Sequence, residues 1–244
     1  KTGASVPQIR ATGSARLDAL RRPPSTRQRI ALRVRLQGGD PRPLVLYLPT
    51  NFGCYGRALA DQAGLPDVSY FELQQRILRL FADHPTVRLI YKTLNCSNAL
   101  ANPIPEFIRQ EIPNGKAIDS PPASQLIWAV DAIILDHPLT ALSEALLTAK
   151  RMVVYYARVN DPDLDPPEAV ALLRRRALVA ETPEEFACLV EELLQVGDFS
   201  ELDSPDNEYL RAYCTHLDDG HSAERAAKAI LSLRDSGAQK ASRV

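Results

Sequence analysis

The residues of this chain with types suited to chemistry gather behind short apolar runs. Thr50 and Asn51 follow Leu44–Leu48, and Lys92 follows Val87–Tyr91. Ser120 follows Ala117–Ile118, and Asp136, His137, Thr140, Ser143 and Glu144 follow Ala132–Leu135. Hydroxyl and amide residues beside helix starts suit an anion such as phosphate, because the first N–H groups of a helix and its dipole attract negative charge. Lys92 would add a point charge. Thr140 and Glu144 are four apart, so a helix presents them on one face. Two roles stay open for Glu144, a contact to sugar-type hydroxyls or a solvated flank position. Two stay open for Asp136 as well, orienting its loop or touching a ligand. His137 stands in the same loop with the same ambiguity. Thr140, Ser124 and Ser69 read equally well as plain helix caps. His84 is expected to end a helix, where a cation suits the dipole. Arg174-Arg175-Arg176 is expected to be the exposed end of another.

The apolar runs are the elements that must position these groups. Leu44–Leu48, Val87–Tyr91, Ala132–Leu135 and Met152–Tyr156 are continuous apolar stretches of strand length, the pattern of strands buried on both faces. Ala117–Ile118 and Leu178–Ala180 are shorter candidates. Helices are expected over 26–36, 69–81, 103–111, 124–130, 139–149, 167–175 and 182–194. The 69–81 segment carries Phe71, Leu73, Ile77, Leu78, Leu80 and Phe81, with Ser69 and Glu72 spaced for a capping box. Thr182 is an expected N-cap, with Pro183 at the first helical position and Glu185 three residues on. Two more helices are expected over 206–216 and 222–233, with 236–244 frayed. Strand and helix thus alternate about five times, which predicts an α/β fold, a Rossmann-like parallel sheet with helices on both faces and a helical C-terminal end. In such sheets ligands bind beyond the carboxyl ends of the strands, which is where the candidate residues stand. One domain is expected over 26–235, with residues 1–25 as an inter-domain segment.

Composition narrows the function classes. The chain has 244 residues, 29 Lys+Arg against 30 Asp+Glu, and 45% hydrophobic residues. These are globular values, and the length allows roughly 70% of the unfolded surface to be buried. The balanced charge leaves no footprint for nucleic acid. No apolar run approaches the roughly 20 residues of a membrane span; the longest, Ala129–Leu135, contains Asp131. The four cysteines, Cys54, Cys96, Cys188 and Cys214, lack paired spacing, so reduced thiols are expected and a zinc site is not. HExxH, GxSxG, the phosphate-binding GxxxxGK[ST] loop and GxGxxG are all missing. The start at Lys1, without Met or a charged-then-apolar leader, gives the expectation of a piece of a longer protein without a signal peptide.

Two blocks carry a resemblance. Thr12-Gly13-Ser14-Ala15-Arg16-Leu17-Asp18 resembles the TGxPRxD segment leading into the second domain of GT-B glycosyltransferases. Asp131–Thr140, Ser143-Glu144-Ala145-Leu146 and Lys150–Tyr155 are similar to the central donor-binding block of that family. The nearest subgroup is the CDP-glycerol glycerophosphotransferase-like and capsule or surface polysaccharide transferases. The resemblance implies the donor-binding domain of a two-domain enzyme acting on a nucleotide-activated sugar or polyol. It implies donor contacts at Gly13, Thr50, Asn51, Lys92, Ser120, Asp136, His137, Thr140, Ser143 and Glu144, with Thr140 and Ser143 on phosphate and Glu144 on ribose hydroxyls. No cofactor and no metal are implied, and no catalytic residue is assigned. The partners implied are the activated donor and an N-terminal acceptor domain, on the same or a separate chain. The implied location is the cytoplasm or the cytoplasmic face of the inner membrane.

The sequence departs from the family pattern. Lys92-Thr93-Leu94-Asn95 replaces KxHP, Leu139 replaces a Ser, and Met152 replaces a Pro. Those departures keep a non-catalytic scaffold module of the same fold as an alternative, beside a sugar-nucleotide 2-epimerase-like enzyme.

Overall fold

The computed structural model describes residues 9–50, 52, 66–93, 102–157 and 166–241, with side chains as far as 233. Asn51, Cys54, Leu94, Asn95 and Cys96, all singled out in the sequence, lie outside the described residues. The chain divides into two compact units, residues 24–206 and residues 1–23 with 207–244. The C-terminal helical stretch groups with the N-terminal segment in the smaller unit.

The larger unit is built on six parallel strands: β1 (Leu44–Leu48), β2 (Arg88–Lys92), β3 (Gly115–Ile118), β4 (Ala132–Leu135), β5 (Arg151–Tyr155) and β6 (Leu178–Ala180). Their spatial order is β3-β2-β1-β4-β5-β6. Leu46 sits between Ile90 and Ile133 in register, and Tyr47 between Tyr91 and Ile134. All five residues of β1 and all four of β4 are buried. This is why their sequences are unbroken apolar runs rather than alternating ones.

Helices cover the sheet: α2 (Thr26–Gln37), α3 (Asp67–Asp83), α4 (Ile104–Glu111), α5 (Ala123–Leu126), α6 (Thr140–Ala145), α7 (Pro167–Arg174) and α8 (Pro183–Val196); α1 (Ala15–Leu20) belongs to the smaller unit. Tyr70, Leu73, Ile77, Leu78 and Phe81 of α3 join Phe186, Val190 and Leu194 of α8 in one core cluster with Val45, Tyr47, Tyr91, Ile134 and Tyr155 of the sheet. Each such fully buried side chain contributes about 1.5–3 kcal/mol.

Several caps differ from the sequence expectation. The N-caps of α3, α5 and α6 are Pro66, Pro122 and Leu139, none with a side-chain bond, so Ser69, Ser124 and Thr140 lie inside their helices. Proline disfavours the helical conformation in the residue before it and cannot donate, so a chain readily turns into a helix directly after it. Thr182 does cap α8, accepting from the Glu185 amide at 3.1 Å, while the Glu185 carboxylate takes the Glu181 amide instead of closing a box. A full capping box forms at Ser25 and Gln28, ahead of α2.

The smaller unit explains the Thr12–Asp18 segment. Ser14 caps α1, and its amide donates to Thr215 Oγ1 at 3.1 Å. Asp18 caps α9 (Ser222–Ala241), accepting from the Ser222 amide at 2.6 Å and the Ser222 hydroxyl at 3.0 Å. Gly13 has φ +86, and a Cβ there would stand 2.4 Å from Ser222 Oγ. Only glycine combines that backbone with that approach. Helix α9 continues to Ala241, beyond the frayed end expected at 236. A single π-helical turn, Leu210–Cys214, replaces the back half of the helix expected over 206–216.

Candidate functional site

The strand order reverses direction between β1 and β4, which makes their carboxyl ends the switch point of the sheet. Asp136 leaves β4 at this point and is fully buried. Its carboxylate accepts from the Thr50 amide at 2.5 Å, from Gln74 Nε2 at 2.8 Å and from the Tyr47 hydroxyl at 3.1 Å. Gln74 Nε2 also reaches the Thr50 carbonyl at 3.1 Å, and Tyr91 donates to Gln74 Oε1 at 2.7 Å. Four side chains from β1, β2, α3 and the end of β4 thus fix the first residue pair after β1. A carboxylate can be buried when donors satisfy its lone pairs, and three of the described groups do so here. Asp136 thus fixes the Thr50 backbone directly after β1.

Burial raises the pKa of Tyr47 and of Tyr91, and the Asp136 charge adds to both. The two phenols therefore stay protonated donors. Their rings meet edge to face, with centroids 5.5 Å apart, a favoured aromatic geometry.

The remaining candidates divide. Lys92 is buried, and its ammonium donates to the Thr93 carbonyl and, at 2.9 Å, to the Asp119 carbonyl. Burial lowers its pKa, with the Asp119 charge opposing. Lys92 therefore ties the ends of β2 and β3 together. Ser120 is exposed and precedes Pro121 through a cis peptide bond. Thr140 is exposed at the first position of α6, and Ser143 Oγ donates back to the Thr140 carbonyl at 2.8 Å. Glu144 is buried in the same helix, at 3% exposure. The His137 ring is half-buried and lies beside Tyr70, centroids 6.3 Å apart.

Thr50, Asp136, His137, Thr140, Ser143 and Glu144 therefore share the carboxyl ends of β1 and β4 and the helix that follows β4. Lys92 and Ser120 stand at the ends of β2 and β3. Gly13 belongs to the smaller unit, where its packing against Ser222 accounts for it. The sequence reasoning missed Tyr47, Tyr91 and Gln74. The signal was present: a glutamine on the apolar face of α3, between Leu73 and Ile77, and hydroxyls near the ends of two apolar strands.

Among the described residues no cluster of three or more His, Cys, Asp or Glu is placed to hold a metal ion. None of the described helices is long and apolar enough to cross a membrane. Cys188 and Cys214 are free thiols.

No protein-family model matches the chain, and no curated protein matches it. Among solved structures, it is similar to the crystal structure of the glycotransferase of kitacinnamycin, at 16% identity and a TM-score of 0.43. That alignment covers 75% of this chain and 43% of the other, so this chain spans less than half the length of the structure it matches. A likeness this distant carries no argument about chemistry.

Proposed function

We propose that the larger unit binds the nucleotide part of an activated sugar or polyol donor, as the donor half of a GT-B-type transferase of surface polysaccharide. The observation that carries this is the buried Asp136 cluster at the switch point, where open parallel sheets take their ligands. A buried polar network that rigidifies one loop costs stability if left incomplete, so its place at the ligand edge is informative. In this proposal Asp136 is a positioning residue that holds the Thr50 backbone. The Thr140 and Ser143 hydroxyls meet donor phosphate oxygens, and Glu144 accepts from ribose hydroxyls. The mechanism is electrostatic stabilisation of the departing nucleoside diphosphate by fixed donors. The acceptor and the catalytic base come from a separate acceptor domain.

The test is a calorimetric titration with UDP, CDP, GDP and CMP. One of the four is expected to bind, and Glu144→Gln is expected to weaken that ligand about tenfold through loss of a charge-assisted hydrogen bond. Unchanged affinity in Glu144→Gln would remove the ribose role. A second reading, a non-catalytic module of the same fold, is favoured by Lys92. The cation expected to meet a diphosphate instead donates to two backbone carbonyls. Failure of all four nucleotides to bind would move the assignment to that module.

A further inference from the structure

A pocket opens at the opposite edge of the sheet from Asp136. Its volume is about 340 Å³, within the range of small-molecule sites. Arg151 and Met152 line it from the start of β5, Leu178 from the start of β6, and Leu193 and Val196 from the end of α8. Four arginines and two carboxylates stand around it, Arg151, Arg174, Arg175 and Arg176 against Glu192 and Asp198. Three of the arginines have acidic partners: Arg151 pairs with Asp198, Arg174 with Glu181, and Arg175 with Asp206.

Arg176 is different. The sequence placed it at an exposed helix end, yet it is 3% exposed. Among the described residues it has no carboxylate partner. A guanidinium carries five N–H donors. Nη1 donates to the Lys150 carbonyl at 3.1 Å and Nη2 to the Thr148 carbonyl at 2.5 Å, while the Nε–H meets no acceptor among the described residues. Burial pushes its pKa down to about 10. A desolvated cation with surplus donors at the wall of an apolar pocket is a configuration that an anion completes.

We propose that this pocket binds a small amphipathic organic anion, its apolar body against Met152, Leu178, Leu193 and Val196 and its acid group on Arg176. Arg176 rather than its neighbours sets the preference, because their charges are matched by carboxylates of the protein. The inference does not depend on the donor site, since β5 separates the two edges.

The test uses a matched pair of probes on the intact chain. 8-Anilinonaphthalene-1-sulfonate carries the acid group, and N-phenyl-1-naphthylamine has the same aryl body without it. Fluorescence titration is expected to give one saturable sulfonate site, about tenfold or more tighter than the neutral probe, as for one charge-assisted contact. Arg176→Met is expected to abolish that difference. Because Arg176 also holds two backbone carbonyls, that variant can fail to fold, so Val196→Trp supplies the second arm. Val196 is 67% exposed and lines the pocket, so a larger side chain there blocks the mouth and leaves the core intact. Loss of sulfonate binding in Val196→Trp, with an unchanged circular dichroism spectrum, supports the proposal. Equal affinity for the two probes, or sulfonate binding unaltered in Val196→Trp, overturns it.

Discussion

Strand β4 is flanked by two aspartates that the sequence presents alike and the structure uses differently. Asp131 precedes it and Asp136 follows it, and each accepts a backbone amide from the neighbourhood of β1, Leu44 at 2.7 Å and Thr50 at 2.5 Å. The other partners of Asp131 are the two terminal nitrogens of Arg33, at 2.8 and 2.6 Å, in a fork that stays partly exposed. The described partners of Asp136 are neutral, a phenol and a carboxamide, and the group is wholly buried. The amino edge of the sheet is thus held by ion pairs that water and salt can reach. Among the described residues, the carboxyl edge is held by neutral donors around one acid. The second arrangement acts at low dielectric, where each hydrogen bond is stronger and an unpaired group costs more.

The largest effect is expected at Asp136. Replacing it with Ala strands the Thr50 amide, the Gln74 carboxamide and the Tyr47 hydroxyl in the interior, at a cost of about 3–4 kcal/mol. Urea denaturation measures it. Asp131→Ala is expected to cost less than half as much, and equal losses at the two positions would erase the distinction between the edges. Gln74→Leu comes next, at about 2 kcal/mol, because it removes an acceptor from the buried Tyr91 hydroxyl as well as a donor to Asp136.

The Arg33–Asp131 pair is the third step. A double-mutant cycle of Arg33→Ala and Asp131→Ala is expected to give about 1 kcal/mol of coupling, since both groups keep solvent contact. Raising ionic strength should shrink that coupling, while the cost of Gln74→Leu stays constant. A coupling indifferent to salt would place Asp131 with Asp136 instead.

The same contrast explains what was legible in the sequence. The bounds of β1 and β4 match their apolar runs because burial on both faces leaves no alternation to interpret. The candidate loops after β1 and β4 were legible because a parallel sheet sends its ligand loops to one edge. Which acid holds a loop was not legible. Asp136 gets its role from Gln74, 62 residues earlier on α3, and no local pattern reveals that pairing. Arg176 was misread for a related reason. It follows two exposed arginines, but the chain has left α7 at Arg174 and turns inward ahead of β6. Thr12–Asp18 resembled a family segment, and in this structure its Gly, Ser and Asp hold α9 and its neighbours.

The smallest effect belongs to the amino edge as well. Asp40 accepts from the Arg42 side chain and backbone amide, and Arg88 at the start of β2 lies 3.9 Å away. The hydrogen bond from the Arg42 side chain is the main cause that lowers the Asp40 pKa from 3.8 to about 2. A carboxyl whose pKa is depressed by folding stabilises the native state fully above its unfolded value. That contribution is lost as pH falls from 3.8 through about 2. Asp40→Asn removes the titration, so its stability should fall less steeply than wild type across that window and match wild type's slope above pH 5. Because the pair is open to water, the difference should be small and should fade at high salt. A wild-type curve parallel to the Asp40→Asn curve below pH 4 would mean that the ion pair at this edge does not couple to folding. The stabilising contribution at this edge would then come from the Asp40 hydrogen bonds rather than from its charge.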